Sequence, residues 1–211
     1  MQLQLDCLPC LHRQALEAAR LASADEDTQA AVMDEAVGLL ARRREFDSSP
    51  ALAADLHRSV ARLVGCDDPY AELKQSDVRL ALAIEPALWS FVAAAEDQLL
   101  AALKVAATGN VMDSALDLDY DMTGHLDRDL DQQFARCEVD ELRGELETAR
   151  SVLVIADNAG EAVFDKVLLQ ARAAPGRRLT YATRGRPIIN DVTLCEAHQA
   201  GVDAYATVIS S

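Results

Sequence analysis

The feature that most constrains this chain is the stretch SVLVIADNAGEAVFD at residues 151–165, where an apolar strand runs directly into a polar loop and a helix. Residues 152–156 are all apolar, which is typical of a strand in a buried parallel sheet. Downstream, the pattern predicts a helix in GEAVFDKVLLQARAA, a strand in RRLTYATRG, a helix in VTLCEAHQAG and a strand in AYATVISS. Strands alternating with helices predict an α/β region with a mostly parallel sheet.

The N-terminal half has the periodicity of helices. Apolar residues recur at three- and four-residue spacing in LHRQALEAARLA and TQAAVMDEAVGLLARRREF. A further helix is predicted in SSPALAADLHRSVARLVG, with Pro50 in its first turn and Gly65 at its end. Another is predicted to begin at Pro86 and to end at Gly109. We therefore expect a helical N-terminal region over residues 1–108 and an α/β region over residues 109–211.

The last predicted strand ends at Ser211 with no helix after it. A parallel sheet needs cover on both faces, so a three-layer α/β arrangement is expected for this region. Three strands make a thin sheet, and we expect the chain to be truncated at its C-terminus.

Charge and composition disfavour several classes of function. The formal net charge is -15, from 20 basic and 35 acidic residues, which disfavours nucleic acid and membrane surfaces as partners. No run approaches the roughly 18 apolar residues of a membrane span, and the N-terminus lacks a secretory pattern. The 5 cysteines do not suggest a disulfide framework, so a cytoplasmic location is expected.

Polar side chains follow the first two predicted strands. Asp157 and Asn158 come directly after the first, and Asp191 follows the second, one strand–helix unit further along. Ligands of open α/β sheets bind beyond the carboxyl ends of the strands, and carboxylate and amide oxygens suit Mg²⁺ or Mn²⁺. Arg184 and Arg186 lie on the second loop, where guanidinium groups match a phosphate. The alternative is that Asp157–Asn158 and Asn190–Asp191 are only helix caps and turns.

Two further polar positions follow the break at Gly109. Asn110 and Asp113 have helical spacing and could face one cavity, or they form a helix C-cap with a solvated aspartate. Cys7 and Cys10 form a single Cys-x-x-Cys, for which a helix-start role is favoured over metal or redox chemistry. The acidic run from Asp117 does not fit the calcium-binding EF-hand loop, because Met122 and Arg128 occupy its required glycine and glutamate positions.

At these residues the chain resembles the damage-control phosphatases, whose domain is also called acidic-residue-methyltransferase-like. The resemblance rests on five strings in order, which are CLPCLHRQAL, DDPYAELKQSD, LKVAATGNVMD, ADNAGEAVFD and RGRPIIND. The Cys-x-x-Cys start is similar to a mainly prokaryotic branch of that family. The resemblance implies a metal-dependent phosphohydrolase acting on small phosphorylated metabolites, with Mg²⁺, Mn²⁺, Co²⁺ or Ni²⁺ as cofactor.

The resemblance also implies roles for individual residues. The cation would be held by Asp157, Asn158 and Asp191, and the shared pocket would contain Asn110, Asp113 and Glu161. Arg184 would contact the phosphate. The charge balance of phosphoryl transfer adds Arg186 as a second positive group, and Asp157 or Glu161 as the carboxylate that orients a cation-activated water. Direct attack by Asp157 on phosphorus stays an alternative, as do a truncated non-catalytic binding or assembly module and an S-adenosylmethionine-dependent methyltransferase. The oligomeric state is left open.

Overall fold

A computed structural model of the chain describes residues 3–111, 122–172 and 176–211. Its backbone divides into two compact units. The first comprises Met1–Glu72 with Pro187–Ile189, and the second comprises Leu73–Arg186 with Asn190–Ser211. This division follows packing, whereas the boundary expected after residue 108 separates helical from α/β sequence, and that boundary stays a prediction.

The first unit is built from helices α1 (Cys7–Leu21), α2 (Glu26–Ala41) and α3 (Ser49–Val64), with a 3₁₀ turn at Arg43–Glu45. The helices pack through small and aliphatic side chains at helical spacing, including Leu11, Ala15, Ala18, Val32, Ala36, Leu52 and Leu56. The predicted start and end of α3 are confirmed. Ser48 accepts a hydrogen bond from the N–H of Ala51 at 3.3 Å, Pro50 lies in the first turn, and Gly65 adopts the left-handed conformation with φ 66°.

The helices α4 (Ala71–Ala94), α5 (Gln98–Val111), α6 (Met122–Asp131) and α7 (Val139–Thr148) come next along the chain. The helix predicted from Pro86 to Gly109 is wrong at both ends. Pro86 lies inside α4, where its missing N–H removes only one helical hydrogen bond, and α5 continues through Gly109. The break falls instead before α5, where the Asp97 carboxylate accepts a hydrogen bond from the N–H of Leu100 at 3.1 Å.

Three parallel strands form the sheet in the order β1 (Ser151–Ile155), β2 (Arg178–Thr183) and β3 (Thr207–Ser210). Helix α8 (Glu161–Arg172) connects β1 to β2, and α9 (Leu194–Ala200) with a 3₁₀ turn at Val202–Ala204 connects β2 to β3. The register aligns Val152 with Leu179 and Ala182 with Ile209. The predicted α/β class with a parallel sheet is confirmed.

The two faces of the sheet differ in burial. Leu179 and Tyr181 on β2 are buried in the core of the second unit. On the opposite face, Leu153 is 58% exposed, Ile155 80% and Ile209 44%. Strands of a parallel sheet are normally buried on both sides, so this face presents apolar side chains to water in the described part of the chain.

Within the described ranges, no helix combines the length and the apolar character that crossing a membrane requires. The thiols of all five cysteines are free, and Cys7 and Cys10 lie in the first turn of α1. The Sγ atom of Cys10 accepts a hydrogen bond from Gln14, 3.5 Å away.

Candidate active site

The loops that follow β1 and β2 are joined to each other through their backbones. The carbonyl of Asp157 accepts a hydrogen bond from the N–H of Val192 at 2.7 Å. The N–H of Ala159 donates to the carbonyl of Asn190 at 2.9 Å, so Asn158 and Asp191 face each other across an antiparallel bridge. The predicted ligand residues Asp157, Asn158 and Asp191 therefore come from loops that lie side by side.

Helix capping does not account for Asp191. The cap of α9 is Thr193, whose side chain accepts a hydrogen bond from Cys195, while Glu196 accepts one from the N–H of Thr193 at 2.9 Å. This reciprocal pair is a capping box, which satisfies backbone N–H groups at the start of α9, two residues after Asp191. Neither Asn190 nor Asp191 is therefore the N-cap of α9, although Asn190 lies in a turn that precedes the helix.

The Asp191 carboxylate forms an ion pair with Arg184. The Nε atom of Arg184 donates to Oδ2 of Asp191 at 2.6 Å, and the Arg184 side chain is about half exposed while that of Asp191 is largely buried. The backbone N–H of Arg184 also donates to the carbonyl of Val192 at 3.0 Å. Arg184 is thus fixed beside the two loops, whereas Arg186 is exposed to solvent on the same segment.

Asn110 approaches this loop pair from α5. Its Nδ2 lies 3.4 Å from Oδ2 of Asp157 and 3.4 Å from Oε2 of Glu161, the first residue of α8. The same Oε2 of Glu161 lies 3.4 Å from the backbone N of Asn158. The amide of Asn110 therefore links the carboxylates of Asp157 and Glu161, which are distant from Asn110 in the sequence. Asp113 lies outside the described residues.

Glycine lets α5 approach α8 closely. A Cβ on Gly109 would lie 2.9 Å from Cβ of Phe164 and 3.1 Å from Cγ of Glu161, so no larger residue fits without movement of the helices. The helix contact that Gly109 permits is what brings the adjacent Asn110 to Glu161.

A buried carboxyl lies one helical turn beyond Glu161. Asp165 is 6% exposed, and its Oδ2 accepts a hydrogen bond from the hydroxyl of Tyr181 on β2 at 2.8 Å. Burial raises the pKa of Asp165 to about 7, the negative charges of Glu161 and Asp157 act in the same direction, and the Tyr181 hydrogen bond opposes them. Burial and the Asp165 charge in turn raise the pKa of Tyr181 above its ordinary value.

Asp165 and Tyr181 were not among the candidates predicted from sequence. The spacing of four residues from Glu161 could have placed Asp165 on the same face of α8. Nothing in the β2 sequence indicates that Tyr181 would meet it. Sequence likewise did not predict the buried ion pair between Lys74 and Glu196, whose Nζ and Oε1 are 3.1 Å apart.

Asp157, Asn158 and Asp191 have the chemistry of a site for a hard divalent cation, with two carboxylates and one amide. In the described ranges, no three His, Cys, Asp or Glu side chains lie together as a metal cluster. The predicted set contains only two such groups, since its third member is the amide of Asn158.

A cavity of about 560 Å³ opens beside Glu161 and Asp165. Its described lining combines α5, the segment between α6 and α7, α7 itself and α8. This volume lies within the roughly 300–1,000 Å³ range of small-molecule sites. Of the acidic residues after β1, Glu161 and Asp165 line this cavity, and Glu161 in turn lies near Asn110 and the Asn158 backbone.

Residues 3–211 match the sequence model of the damage-control phosphatase ARMT1-like domain. This chain belongs to the ARMT1-like damage-control phosphatase family. The resemblance that the five sequence strings predicted is confirmed. Membership places the chain among the damage-control phosphatases.

Individual relatives agree with this family assignment. A damage-control phosphatase of Archaeoglobus fulgidus is 31% identical over 213 residues, covering 95% of this chain and 70% of the relative. The damage-control phosphatase PH1575 of Pyrococcus horikoshii is 28% identical over 214 residues, covering 100% of this chain and 74% of the relative. The crystal structure of PH1575, a DUF89 family protein, matches with a TM-score of 0.87 and 27% sequence identity, covering 100% of this chain and 74% of that chain.

Proposed function

We propose that this damage-control phosphatase hydrolyses small phosphorylated metabolites with the help of a divalent cation bound where β1 and β2 end. The observation that carries the proposal is the backbone pairing of the two loops at Asn158 and Asp191. Because the loops that carry Asp157, Asn158 and Asp191 lie side by side, their pairing supports a shared cation site at this edge of the sheet. Family membership supports the reaction class, phosphoric monoester hydrolysis.

Asp157, Asn158 and Asp191 would hold the cation, which is Mg²⁺, Mn²⁺, Co²⁺ or Ni²⁺. Their oxygens are hard donors of the kind these ions accept. When bound, the cation supplies positive charge that neutralises the phosphoryl group and acidifies a water molecule. The hydrogen bond between the Val192 N–H and the Asp157 carbonyl keeps the two loops in register for this role.

Arg184 is the residue proposed to bind the phosphoryl oxygens. Its ion pair with Asp191 orients the guanidinium group at the site before substrate arrives. Phosphoryl transfer depends chiefly on alignment and on neutralising charge, which a fixed guanidinium provides. Arg186 is exposed on the same segment and adds positive charge at the rim.

Glu161 is the residue proposed to orient the attacking water and accept its proton. It lies at the first position of α8, and Asn110 donates towards both its carboxylate and that of Asp157. Holding both carboxylates through one amide fixes their separation, which a general base requires. Asp157 is assigned to the cation rather than to attack on phosphorus.

The test is hydrolysis of p-nitrophenyl phosphate by the purified chain after chelation and after each cation is added back. We expect chelation to abolish turnover and cation to restore it. Asp157→Asn and Asp191→Asn should each reduce cation affinity and turnover by about 10–100-fold. Cation binding is followed independently as stabilisation against heat, since a ligand bound only by the folded state raises Tm.

Asp140→Asn is the matched control, because Asp140 is 93% exposed on α7. This variant should keep the cation response and the turnover of the parent chain. Turnover that persists in chelator, or an Asp191→Asn variant with an undiminished cation response, would refute the proposal. Cation binding without any turnover would favour the non-catalytic binding module instead.

A further inference from the structure

The cavity beside Glu161 continues from the proposed catalytic residues. Leu103, Ala106 and Ala107 line it from α5, and they are followed on the same helix face by Asn110. Asn110 in turn lies 3.4 Å from both Asp157 and Glu161. A phosphoester whose phosphoryl group lies at these carboxylates would therefore direct its organic group into this cavity.

Part of the cavity lining is apolar. Phe134 comes from the segment between α6 and α7, Val139 begins α7, and Leu142 follows one turn later. Leu142 is 38% exposed and so leaves apolar surface for a ligand to cover. Together with Leu103, these side chains form the apolar part of the described lining.

The titratable groups of the described lining are Arg136, Glu138, Glu161 and Asp165. Arg136 donates from Nε to Glu138 at 3.0 Å, so these two opposite charges offset each other. Glu161 and Asp165 lie on α8. A second anionic group on the substrate would meet the negative charge of Glu161, whereas a hydroxyl or amino group could donate hydrogen bonds to the carboxyl oxygens of Glu161 and Asp165.

We propose, on the basis of the function proposed above, that this cavity binds the organic group of the phosphoester and selects partly apolar groups without a second negative charge. Aryl and alkyl phosphates, including those with hydroxyl or amino substituents, fit this description. Monoesters carrying a carboxylate or a second phosphate on the organic group do not. Selection arises because apolar contact favours the first class and charge repulsion disfavours the second.

The test uses binding of phosphonates, which cannot be hydrolysed, measured by calorimetry in the presence of Mn²⁺. Phenylphosphonate should bind about tenfold or more tightly than methylphosphonate, because its ring is buried in the cavity. 4-Carbamoylphenylphosphonate should bind about tenfold more tightly than 4-carboxyphenylphosphonate, which has nearly the same shape but an extra negative charge.

Ala107→Leu fills the cavity from an exposed position on α5, so it should fold normally. It should remove the preference for phenylphosphonate while leaving methylphosphonate binding unchanged. Ala93→Leu is the matched control, the same substitution at an exposed position on α4, and it should leave both affinities unchanged.

Equal binding of phenylphosphonate and methylphosphonate, or equal behaviour of the two leucine variants, would overturn the inference. Tighter binding of the carboxylate, lost in Arg136→Ala, would overturn it too, since Arg136 would then recruit a second anion. Hydrolysis of phenyl phosphate is measured separately. Selective phosphonate binding without hydrolysis would support the binding role of the cavity and refute the proposed function. Hydrolysis without selective binding would support the proposed function and refute the binding role of the cavity.

Discussion

At the scale of single residues, one carboxyl group beside the site has a pKa that burial raises. This group is Asp165, which accepts a hydrogen bond from Tyr181 and lies close to two further carboxylates. A buried carboxyl group is costly to the fold unless it is protonated or paired with a positive charge. Protonation of Asp165 therefore contributes to the stability of the second unit.

Asp165→Asn should change how stability depends on pH. The folded-state pKa of about 7 lies above the ordinary 3.8, so the folded chain retains a proton that the unfolded chain has lost between these values. The stability due to this group is therefore present at low pH and is lost as pH rises through about 7. The asparagine does not titrate, so its free energy of unfolding should fall less between about pH 5 and about pH 8.

Urea unfolding in chelator at both pH values measures this difference. Asp140→Asn, at a highly exposed position, should retain the pH dependence of the parent chain. An Asp165→Asn variant with the parent's pH dependence would show that the Asp165 carboxyl is ionised in the folded state.

Arg184 and Arg186 should differ in their effect on catalysis. Arg184→Gln should lower kcat/KM for p-nitrophenyl phosphate by about 10²-fold, because it removes a guanidinium group that Asp191 holds at the site. Arg186→Gln should cost less than about tenfold, since an exposed charge is screened and less well oriented. Steady-state kinetics compares the two variants, and a larger loss for Arg186→Gln would reverse the assignment of the phosphate-binding residue.

At the scale of secondary-structure elements, the site depends on the close packing of α5 against α8. Gly109 permits the approach, and Asn110 next to it reaches the carboxylates of the loop and of α8. The loops themselves are held by backbone hydrogen bonds, and the capping box at Thr193 completes the start of α9.

Gly109→Ala should destabilise the chain by about 1–3 kcal/mol, because the added methyl group would press on Phe164 and Glu161. Turnover of the folded variant should fall as well, since Glu161 must move. Urea unfolding and steady-state kinetics measure the two effects.

Gly144→Ala is the control for helix propensity. Gly144 lies within α7, and nothing lies within 4 Å of the position its Cβ would take. This change should stabilise the chain by about 0.5–1 kcal/mol. If both alanine variants were stabilised equally, the contact between α5 and α8 would be looser than the distances indicate.

At the scale of the whole molecule, the described chain has an apolar sheet face in contact with water. Leu153, Ile155 and Ile209 lie on that face, and β1 is an edge strand with Ile155 at its end. Exposed apolar faces and edge strands promote self-association. The strongly acidic net charge of -15 opposes it.

Ile155→Lys should reduce self-association and binding of the dye ANS, with a stability change within about 0.5 kcal/mol, because the side chain is already in water. Val37→Lys is the control, since Val37 is 56% exposed on α2 and is not part of the sheet. Light scattering and ANS fluorescence measure the effect. An equal response from both variants would mean that net charge, and not the sheet face, governs solubility.

Sequence alone did not predict α6 and α7, but it was sufficient for the order of strands and helices from β1 to β3 and for the loops that carry Asp157, Asn158 and Asp191. These depend on periodicity within short segments and on the right-handed connection of parallel strands, which places successive loops at one edge. Sequence misplaced the break between α4 and α5, because proline at position 86 resembles a helix start. Inside α4 the proline is destabilising, but the burial of side chains such as Val78 and Leu88 along this helix offsets that cost.

Only the tertiary structure decided which side chains meet. The bond between Tyr181 and Asp165, the reach of Asn110 to Glu161 and the pairing of Arg184 with Asp191 join positions on different elements or on a folded loop. No local pattern specifies such contacts, because they follow from how helices and strands pack and which side-chain rotamers that packing allows. The cavity, whose walls come from separate helices, has the same origin.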